Sequence, residues 1–550
     1  MNKLNYQSVI LIVDFGSQVT QLIARRIREL NIYSEICDCD ISDENFENYL
    51  KASGKNLSGI ILSGGPQSVS SFLDEKKYTK FFFNKVPVLG ICFGMQIMTK
   101  IFGGTIKLSE NREFGYAVVR ARGHSKLFDG IEDRRNAKGH GLLDVWMSHG
   151  DSVDQLPENF KIIGSSKNCP IAAIANENES FYGLQFHPEV TQTRRGSEIL
   201  KRFSLQICKA KNNWTMKNFY ELSISSIRTT VGKKRVILGL SGGVDSSVLA
   251  VLIHRAIGDQ LTCIFIDHGM LRLNEADEVM EYVSEDLKIK TIKIFAKDLF
   301  LNALKGLSDP ENKRKVIGKT FIDIFQREAN KIENVEFLAQ GTIYPDVIES
   351  AGGVSKSAKK IKSHHNVGGL PDILHLNLLE PLKDLFKDEV RLLGKALSLN
   401  PRILKRHPFP GPGLAIRIIG EVTEERLHLL SQADKIFISQ LKSTKVSRKD
   451  IKDKLVDSSL LDRYWYDVVS QAFTVFIPVK SVGVQGDHRT YEWTIILRAV
   501  VTTDFMTASC AKLPIHLLED VSNQIINNVK GINRVAYDLS SKPPATIEWE

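Results

Sequence analysis

A cysteine enclosed by two glycines is the first residue whose setting predicts chemistry. Cys92 stands in the run GICFG, residues 90–94, which has the form of a nucleophile elbow, a sharp turn from a strand into a helix. The helix predicted to begin near Met95 would favour the thiolate through its dipole. A buried core thiol is the alternative for a single cysteine after a strand.

A histidine and a glutamate two residues apart supply the matching base. Pro188 keeps His187 out of the α region, so the segment 186–189 should be extended. Residues two apart on an extended segment point to the same side, which would bring Glu189 to the imidazole. His187 would then exchange a proton with Cys92 while Glu189 fixes the ring. A lone histidine before proline is usually structural, but its coincidence with the elbow favours catalysis.

A second group of small and polar residues lies between a strand and a helix. The run SGGVDSS, residues 241–247, follows an apolar strand predicted at 236–240 and precedes a helix predicted from about Ser247. Gly242 and Gly243 let the backbone turn tightly, and the unpaired N–H groups of a helix start attract phosphate. The spacing is not that of the P-loop and no lysine follows. An ordinary strand-to-helix turn is the alternative.

Strands that alternate with helices must position both groups. Strands are predicted at 8–13, 59–63 and 86–91, with a helix at 18–30, and further strands at 236–240, 263–266 and before Gln340. This alternation predicts two doubly wound parallel sheets of the α/β class, with ligands at the carboxyl ends of the strands. Beyond the proline-rich run at 407–413, strands at 415–421, 474–479 and 491–501 and helices at 423–441 and 513–529 indicate an α+β domain.

The first third resembles the class I glutamine amidotransferases. The resemblance rests on SGGP at 63–66, GICFGMQ at 90–96 and QFHPEV at 185–190. It implies a Cys92–His187–Glu189 triad that hydrolyses glutamine to glutamate and ammonia. It also implies an oxyanion and glutamine site formed by Gly64, Gly65, Phe93, Gln96, Ser148 and Asp151. Phe93 replaces a tyrosine that is often found there, which leaves the backbone donor intact.

The middle third resembles the N-type ATP pyrophosphatases. The resemblance assigns ATP to the following residues: Ser241, Gly242, Gly243, Val244, Asp245, Ser246, Ser247, Asp267 and Lys362. Asp267 and His268 could equally be solvated turn residues. Asp346 and Glu349 are candidate ligands for Mg²⁺, which prefers one or two carboxylates with phosphate oxygens. The lysine-rich run 351–369 is interpreted as a mobile lid, with a basic loop of no special role as the alternative.

The chain as a whole is similar to the GMP synthetase family. HPFPGPG at 407–413, SVGVQGD at 481–487 and KPPATIEWE at 542–550 carry this resemblance. It implies that XMP is adenylated by ATP and aminated by ammonia from glutamine, giving GMP, AMP and pyrophosphate. The residues expected to hold XMP are Arg272, Arg314, Gln471, Lys542, Ile547 and Glu548. The domains expected are 8–206 for the amidotransferase, 207–403 for the ATP pyrophosphatase and 404–550 for dimerisation and XMP binding.

One segment departs from this family. Residues 442–463 form a charged insertion, which we expect to be a solvated surface excursion. Altered contacts between the subunits of a dimer are the alternative.

Composition limits the remaining possibilities. A net charge of +9, from 73 basic and 64 acidic residues, fits anionic small substrates, and no stretch interleaves aromatic with basic residues as nucleic-acid binding would require. Seven unpatterned cysteines indicate reduced thiols, and no apolar run predicts a signal or membrane segment. We therefore expect a cytoplasmic homodimer, paired through its C-terminal domain, that contacts neither nucleic acid nor membrane.

Two other classes remain as alternatives. Enzymes like NAD synthetase or argininosuccinate synthetase also use a pyrophosphatase loop, but the first pairs with a different glutaminase and the second lacks a class I glutaminase. A scaffold without activity would be expected to have a broken triad or loop, and neither is broken here.

Overall fold

The fold divides into two units. The computed structural model describes residues 8–39, 56–66, 68–69, 83, 86–122, 124–351, 376–502, 505 and 507–550. Of these, the first unit comprises the described residues up to 223 together with 345–351, and the second comprises 224–344 and the described residues from 376 onwards. Within the described ranges, no helix is both long enough and apolar enough to cross a membrane.

The first unit is built on one ten-stranded sheet. Its strands are β1 (Val9–Asp14), β2 (Tyr33–Asp38), β3 (Leu57–Leu62), β4 (Val88–Ile91), β5 (Thr105–Ala121), β6 (Arg134–Arg135), β7 (Gly141–Gln155), β8 (Lys161–Ser165), β9 (Ala173–Asn176) and β10 (Phe181–Leu184). They lie in the order β2-β1-β3-β4-β10-β9-β8-β5-β7-β6. The first five in that order are parallel, as the alternation of strands and helices predicted, and the others are antiparallel.

Helices follow the strands of the parallel part. They are α1 (Thr20–Glu29), α2 (Phe93–Ile101) and α3 (Gly196–Lys201), the last continuing as a π-helix at Arg202–Ile207. A further helix, α4 (Met216–Val231), crosses the division between the units. α2 begins at Phe93, directly after Cys92, rather than near Met95 as predicted.

The second unit contains a five-stranded parallel sheet. Its strands are β11 (Arg235–Gly239), β12 (Leu261–Asp267), β13 (Thr291–Phe295), β14 (Val335–Ala339) and β15 (Asn377–Leu379), in the order β13-β12-β11-β14-β15. Its helices are α5 (Val244–Ile257), α6 (Glu275–Met280), α7 (Lys297–Leu304), α8 (Pro310–Ala329), α10 (Lys387–Ala396) and α11 (Pro401–Leu404), whereas α9 (Tyr344–Ala351) begins in this unit at Tyr344 and otherwise belongs to the first. β11 (RVILG) and β12 (LTCIFID) are mostly apolar, and their central residues are buried, as is usual for parallel strands covered on both faces.

A smaller, mostly antiparallel sheet completes the second unit. It consists of β16 (Gln471–Gln485), β17 (His488–Val501), β18 (Ser509–Cys510) and β19 (Ile532–Tyr537), the last running parallel to β17. The remaining helices are α12 (Glu424–Ser443), α13 (Arg448–Lys452), α14 (Trp465–Val468) and α15 (Ile515–Asn528). The predicted α+β class is therefore confirmed for this part of the chain.

The strand predicted at 415–421 is wrong. Residues Gly413–Arg417 form a 3₁₀-helix, and Ile418 makes only an isolated bridge with Phe476. Leu414, Ala415 and Ile416 are all buried. A short apolar run that is buried on every side has no period that separates strand from helix.

The charged insertion is not wholly a solvated excursion. Its segment 442–463 includes α13, whose Ser447 and Asp450 form a capping box, and Val446 is buried in the core of the second unit. Val446 N–H donates to Arg463 O at 2.8 Å. The charge pattern of the segment did not predict this burial, because Val446 is one apolar residue among many charged ones.

The domain boundaries remain predictions. The expected division at 206/207 lies near the division between the units, whereas the expected division at 403/404 lies inside the second unit. Both sheets of that unit share one apolar core, which includes Ile264 of β12 and Phe476 of β16.

Candidate active sites

The elbow around Cys92 has the geometry that its sequence predicts. Cys92 joins β4 to α2 with φ 52° and ψ −106°, a conformation that L-residues adopt rarely and at functional turns. A Cβ on Gly90 would come within 2.6 Å of the Gly94 carbonyl group, and one on Gly94 within 2.3 Å of Leu62 O. Both glycines are therefore required by the close passage of α2 over the strands.

His187 and Glu189 form the second part of the site. Nδ1 of His187 lies 2.7 Å from Oε1 of Glu189, and both residues are buried. Burial would lower the pKa of His187, but the Glu189 charge and hydrogen bonds to Cys92 and Glu189 raise it well above its usual value. The charged form of the ring is therefore favoured, and it pairs on one side with a carboxylate and on the other with sulfur.

The segment that carries these two residues bends instead of staying extended as predicted. Residues 188 and 189 form a turn. Thr193 Oγ1 donates to His187 O at 2.6 Å, and Arg26 Nε donates to Glu189 O at 3.0 Å. These side-chain contacts stabilise the turn, and Glu189 still reaches the imidazole.

The residues expected to hold glutamine lie around the sulfur. Gln96 Nε2 donates to Asp151 O at 2.9 Å and contacts Gln185 Oε1 at 3.2 Å. Cys92 Sγ lies 3.6 Å from Ser148 O and 3.6 Å from Gln185 Nε2. The elbow, β7 and the segment after β10 therefore converge on one place.

The expected oxyanion donors adjoin the same place. A Cβ placed on Gly64 would lie 3.5 Å from Cε1 of His187, and a Cβ placed on Gly65 would lie 3.2 Å from the Phe93 ring. Phe93 in turn packs on Phe15 with ring centroids 5.4 Å apart. Backbone N–H groups at these positions are suited to a developing oxyanion.

The loop at 241–247 is closed by its own hydroxyl groups. Ser241 Oγ and Ser246 Oγ are 2.9 Å apart, Ser246 Oγ donates to Gly243 O at 3.2 Å, and Gly243 N–H donates to Ser241 Oγ at 3.3 Å. Gly242 has φ +71°, which favours glycine. α5 begins at Val244, earlier than predicted. The loop is thus a tight turn that is followed directly by the 14-residue helix α5.

Asp245 of this loop pairs with a lysine that the sequence reasoning missed. Lys387 Nζ lies 2.5 Å from Asp245 Oδ2, and Lys387 is the first residue of α10. Asp245 Oδ1 is buried and has no hydrogen-bonding partner among the described residues. Lys387 could have been suspected only from the run KDLFKDE, where one lysine begins a helix.

The end of β12 contains one polar residue and one buried histidine. Asp267 accepts a hydrogen bond from Gly269 N–H at 3.2 Å. His268 is buried against Phe300 and Phe321, so it is not a solvated turn residue. Burial lowers the pKa of His268 to about 4.

The proposed magnesium ligands are described only in part. Asp346 lies in the first turn of α9, whereas the Glu349 side chain, Lys362 and nearly all of the predicted lid lie outside the described residues. No cluster of three metal-ligating side chains occurs in the described part of the chain. Mg²⁺ often uses one or two carboxylates with phosphate oxygens and water, and the unpaired Oδ1 of Asp245 is a carboxylate oxygen that fits such a site.

Two of the residues expected to hold XMP, Gln471 and Glu548, lie beside a buried arginine. Arg417 donates to Glu548 with both Nε (3.1 Å) and Nη2 (2.9 Å), and Gln471 Nε2 donates to the same carboxylate at 2.7 Å. The Arg417 guanidinium lies between the rings of Phe409 and Phe473, at 4.9 and 4.2 Å from their centroids. Its Nη1 is buried and contacts no acceptor in the resolved ranges. Sequence reasoning missed Arg417, which lies in the segment wrongly predicted as a strand.

Three other residues expected to hold XMP contact different parts of the second unit. Arg272 lies 3.0 Å from Asp434 and donates to Ala472 O, next to Gln471. Lys542 Nζ donates to Phe505 O at 2.8 Å. Ile547 packs in a small core with Phe473.

Glu550 holds the same tail against α8. Its backbone carbonyl accepts a hydrogen bond from Arg314 at 2.5 Å, and its side chain forms an ion pair with fully buried Lys313. Lys313 also donates to Ile418 O at 2.7 Å. Burial lowers the pKa of Lys313, and its hydrogen bond to Glu550 opposes that effect.

Comparison with known proteins agrees with this division of labour. Residues 11–207 match the class-I glutamine amidotransferase family model, 218–316 match NAD synthase, and 458–549 match the GMP synthase C-terminal domain. The chain is 58% identical over 541 residues to the GMP synthase (glutamine-hydrolyzing) of Azoarcus sp. (strain BH72), covering 98% of this chain and 99% of that one. It is also 58% identical over 544 residues to the protein of the same name from Methylobacillus flagellatus, covering 99% and 100%.

Fold and sites together define an enzyme that joins a class-I glutamine amidotransferase to an ATP pyrophosphatase. The chain belongs to the family of glutamine-hydrolyzing GMP synthases. The predicted family, fold class and enzyme class are confirmed. The NAD synthase match extends only over the ATP pyrophosphatase part, so it does not favour the alternative of an NAD synthetase-like enzyme.

Proposed function

We propose that the chain makes GMP from XMP, ATP and glutamine with the residues assigned above. Glutamine is hydrolysed at Cys92, ATP binds at residues 241–247, and XMP binds around Gln471 and Glu548. The observation that carries this proposal is the buried contact of His187 with Glu189 at 2.7 Å beside the Cys92 elbow.

The glutaminase step follows from the protonation of the triad. Cys92 Sγ attacks the side-chain amide carbon of glutamine, and backbone N–H groups at Gly65 and Phe93 stabilise the resulting oxyanion. His187 gives its proton to the departing nitrogen, so ammonia leaves and a thioester remains. Water then attacks the thioester while His187 takes up a proton, which releases glutamate and restores the thiolate. Glu189 keeps the imidazole oriented throughout and stabilises its charged form before and after the proton transfers.

The synthetase step uses the turn between β11 and α5. The N–H groups at the start of α5 and the hydroxyl groups of Ser241 and Ser246 face the phosphates of ATP. The xanthine oxygen of XMP attacks the α-phosphorus, pyrophosphate leaves, and ammonia then displaces AMP to form GMP. Mg²⁺, for which the unpaired Oδ1 of Asp245 is a candidate ligand, would neutralise phosphate charge during this step. Lys387 balances the remaining charge of Asp245.

The tail of the second unit supplies the XMP site. Arg417 and Gln471 fix the carboxylate of Glu548 beside the start of β16, and Arg314 and Lys313 fix Glu550. Arg272, Lys542 and Ile547 complete the site. The unpaired Nη1 of Arg417 is a donor that suits a ribose or phosphate oxygen.

Two further properties belong to the same proposal. The enzyme acts in the cytoplasm, where its seven free thiols remain reduced. It forms a homodimer through the sheet of β16 and β17, on which Val479, Val484 and Tyr491 are exposed. Exposed strands with apolar side chains are surfaces that proteins normally cover.

Two nitrogen sources test the two-site assignment. Cys92→Ala should abolish AMP release with XMP, ATP, Mg²⁺ and glutamine, yet leave the ammonia-dependent rate within about twofold of wild type. Equal loss with both nitrogen sources would contradict the separation of the sites. Glu548→Gln should raise the KM for XMP by about tenfold or more, because it removes a charged acceptor. Glu519→Gln, on the exposed face of α15, is the matched control.

A further inference from the structure

The backbone alone does not fix the orientation of the peptide plane between Gly242 and Gly243. Gly242 has φ +71°, and two adjacent glycines allow the whole peptide plane to rotate at little cost. In a trans peptide the carbonyl and the N–H point in opposite directions. The orientation of this one plane therefore decides whether the Gly243 N–H faces the inside of the loop or away from it.

Arg406 fixes that orientation. Its Nη1 donates to the carbonyl oxygen of Gly242 at 2.6 Å. The N–H of Gly243 is consequently directed to the other side, where it meets Ser241 Oγ at 3.3 Å. Ser246 Oγ lies on the same side, 2.9 Å from Ser241 Oγ. One bond from the guanidinium thus points a backbone donor into the space between the two serines.

Arg406 is itself held firmly. Its other terminal nitrogen forms an ion pair with Glu275, and its side chain is 17% exposed. Glu275 is buried and also accepts a hydrogen bond from Arg272 N–H at 2.9 Å. The Arg406 guanidinium lies 5.9 Å from the centroid of the Phe409 ring. A buried carboxylate and an aromatic face together restrict the arginine to one geometry.

We propose that Arg406 is a positioning residue for the phosphate loop, one that orients the 242–243 peptide so that the Gly243 N–H can bind the pyrophosphate of ATP. This inference rests on the proposed assignment of residues 241–247 to ATP. Arg406 acts through the peptide and not by touching ATP. Its positive charge behind the plane also polarises the Gly242 carbonyl, which strengthens the N–H of the same peptide as a donor.

The test measures the ATP-dependent half-reaction with ammonia as the nitrogen source. Arg406→Met should raise the KM for ATP by about tenfold or more, with the KM for XMP and the glutaminase rate within about twofold of wild type. Inorganic pyrophosphate with Mg²⁺ should lose inhibitory power by the same factor. Arg406→Lys, which keeps the charge and one donor, should recover part of the loss. Arg402→Met, an exposed arginine in α11, is the matched control.

A second variant separates positioning from folding. Arg406→Met leaves the buried Glu275 carboxylate without its partner, so Arg406→Met with Glu275→Gln removes that charge as well. An unchanged KM for ATP in the double variant, or an equal rise of the KM for ATP and XMP, overturns the inference. Asp245→Ala is run in parallel, because normal ATP turnover in that variant refutes the assignment of the loop itself. Impaired Asp245→Ala with normal Arg406 variants refutes only the role of Arg406.

Discussion

Gly196 lies so close to Pro188 that a Cβ on Gly196 would come within 1.9 Å of the Pro188 carbonyl oxygen. The start of α3 therefore packs directly on the backbone that joins His187 to Glu189. No side chain larger than hydrogen fits at this point unless the backbone moves. The position of the triad base thus depends on a glycine that carries no functional group.

Gly196→Ala should damage the glutaminase without removing any catalytic group. Displacement of the 187–189 segment by an ångström would lower the glutamine-dependent kcat by about 10²-fold. The ammonia-dependent rate should stay within about twofold, because the second unit does not contain this glycine. Gly318→Ala, at a helical position with open space, is the control. An unchanged glutaminase rate in Gly196→Ala would show that the 187–189 segment accommodates the extra methyl group without moving the triad.

Glu189→Gln should separate orientation from charge in the triad. The amide can still accept a hydrogen bond from Nδ1, but it no longer stabilises the imidazolium. We expect the glutaminase kcat to fall by about 10²-fold or more. Because Glu189 raises the pKa of His187, its stabilising effect is complete below the unfolded value of about 6.5. That effect is lost as the pH rises through the folded-state pKa.

Thermal unfolding of the same variant checks the direction of this pH dependence. The melting temperature of Glu189→Gln should lie furthest below that of wild type near pH 6, and the two should converge in alkaline solution. A difference that grows as the pH rises would contradict a charged His187.

Lys387→Met should weaken ATP binding by removing the partner of Asp245. The loss of a charge-assisted hydrogen bond amounts to about 1.5–3 kcal/mol, so the KM for ATP should rise by about tenfold or more. Lys387→Arg should be milder because the charge remains. Lys395→Met, on the exposed face of α10, is the control for helix stability. A KM for ATP within twofold of wild type would assign Lys387 to structure alone.

His268 should make the second unit sensitive to acid. Its pKa is lowered to about 4 by burial, so folding favours the neutral ring. The stability that this provides is present above the unfolded pKa of about 6.5 and is lost as the pH falls towards 4, by up to about 3 kcal/mol. Unfolding by urea between pH 7 and pH 4.5 measures the loss.

His268→Asn is the matched variant for this measurement. His268 Nδ1 accepts the Met270 N–H at 3.1 Å, and an asparagine oxygen can accept the same bond without titrating. The variant should show a flatter dependence on pH, although His407, also with a pKa of about 4, still contributes. An identical slope in both proteins would remove His268 as a cause.

Residue types and short spacings predicted the chemistry of the sites better than they predicted the architecture of the fold. The elbow at Cys92, the contact of His187 with Glu189 and the turn at 241–247 are local, so a few neighbouring residues determine them. Lys387 and Arg417 were missed because they reach their partners across 142 and 131 positions, and no local pattern encodes such pairs. Gln185 could have been found, since it alternates with His187 and Glu189 in the segment already singled out.

The antiparallel half of the first sheet was not foreseen either. β5 and β7 are long strands whose residues alternate little between apolar and polar, so their period is weak. The 3₁₀-helix at Gly413–Arg417 was not predicted for a different reason, because its central residues Leu414, Ala415 and Ile416 are all apolar and show no period.

The ion pair between Lys313 and Glu550 makes α8 depend on a residue 237 positions further along the chain. Lys313 is fully buried, so a change that removes the Glu550 carboxylate leaves its ammonium either buried without a counter-charge or exposed to water. Both outcomes weaken the packing of the tail on α8, so damage at position 550 destabilises a helix that lies far from it in the sequence.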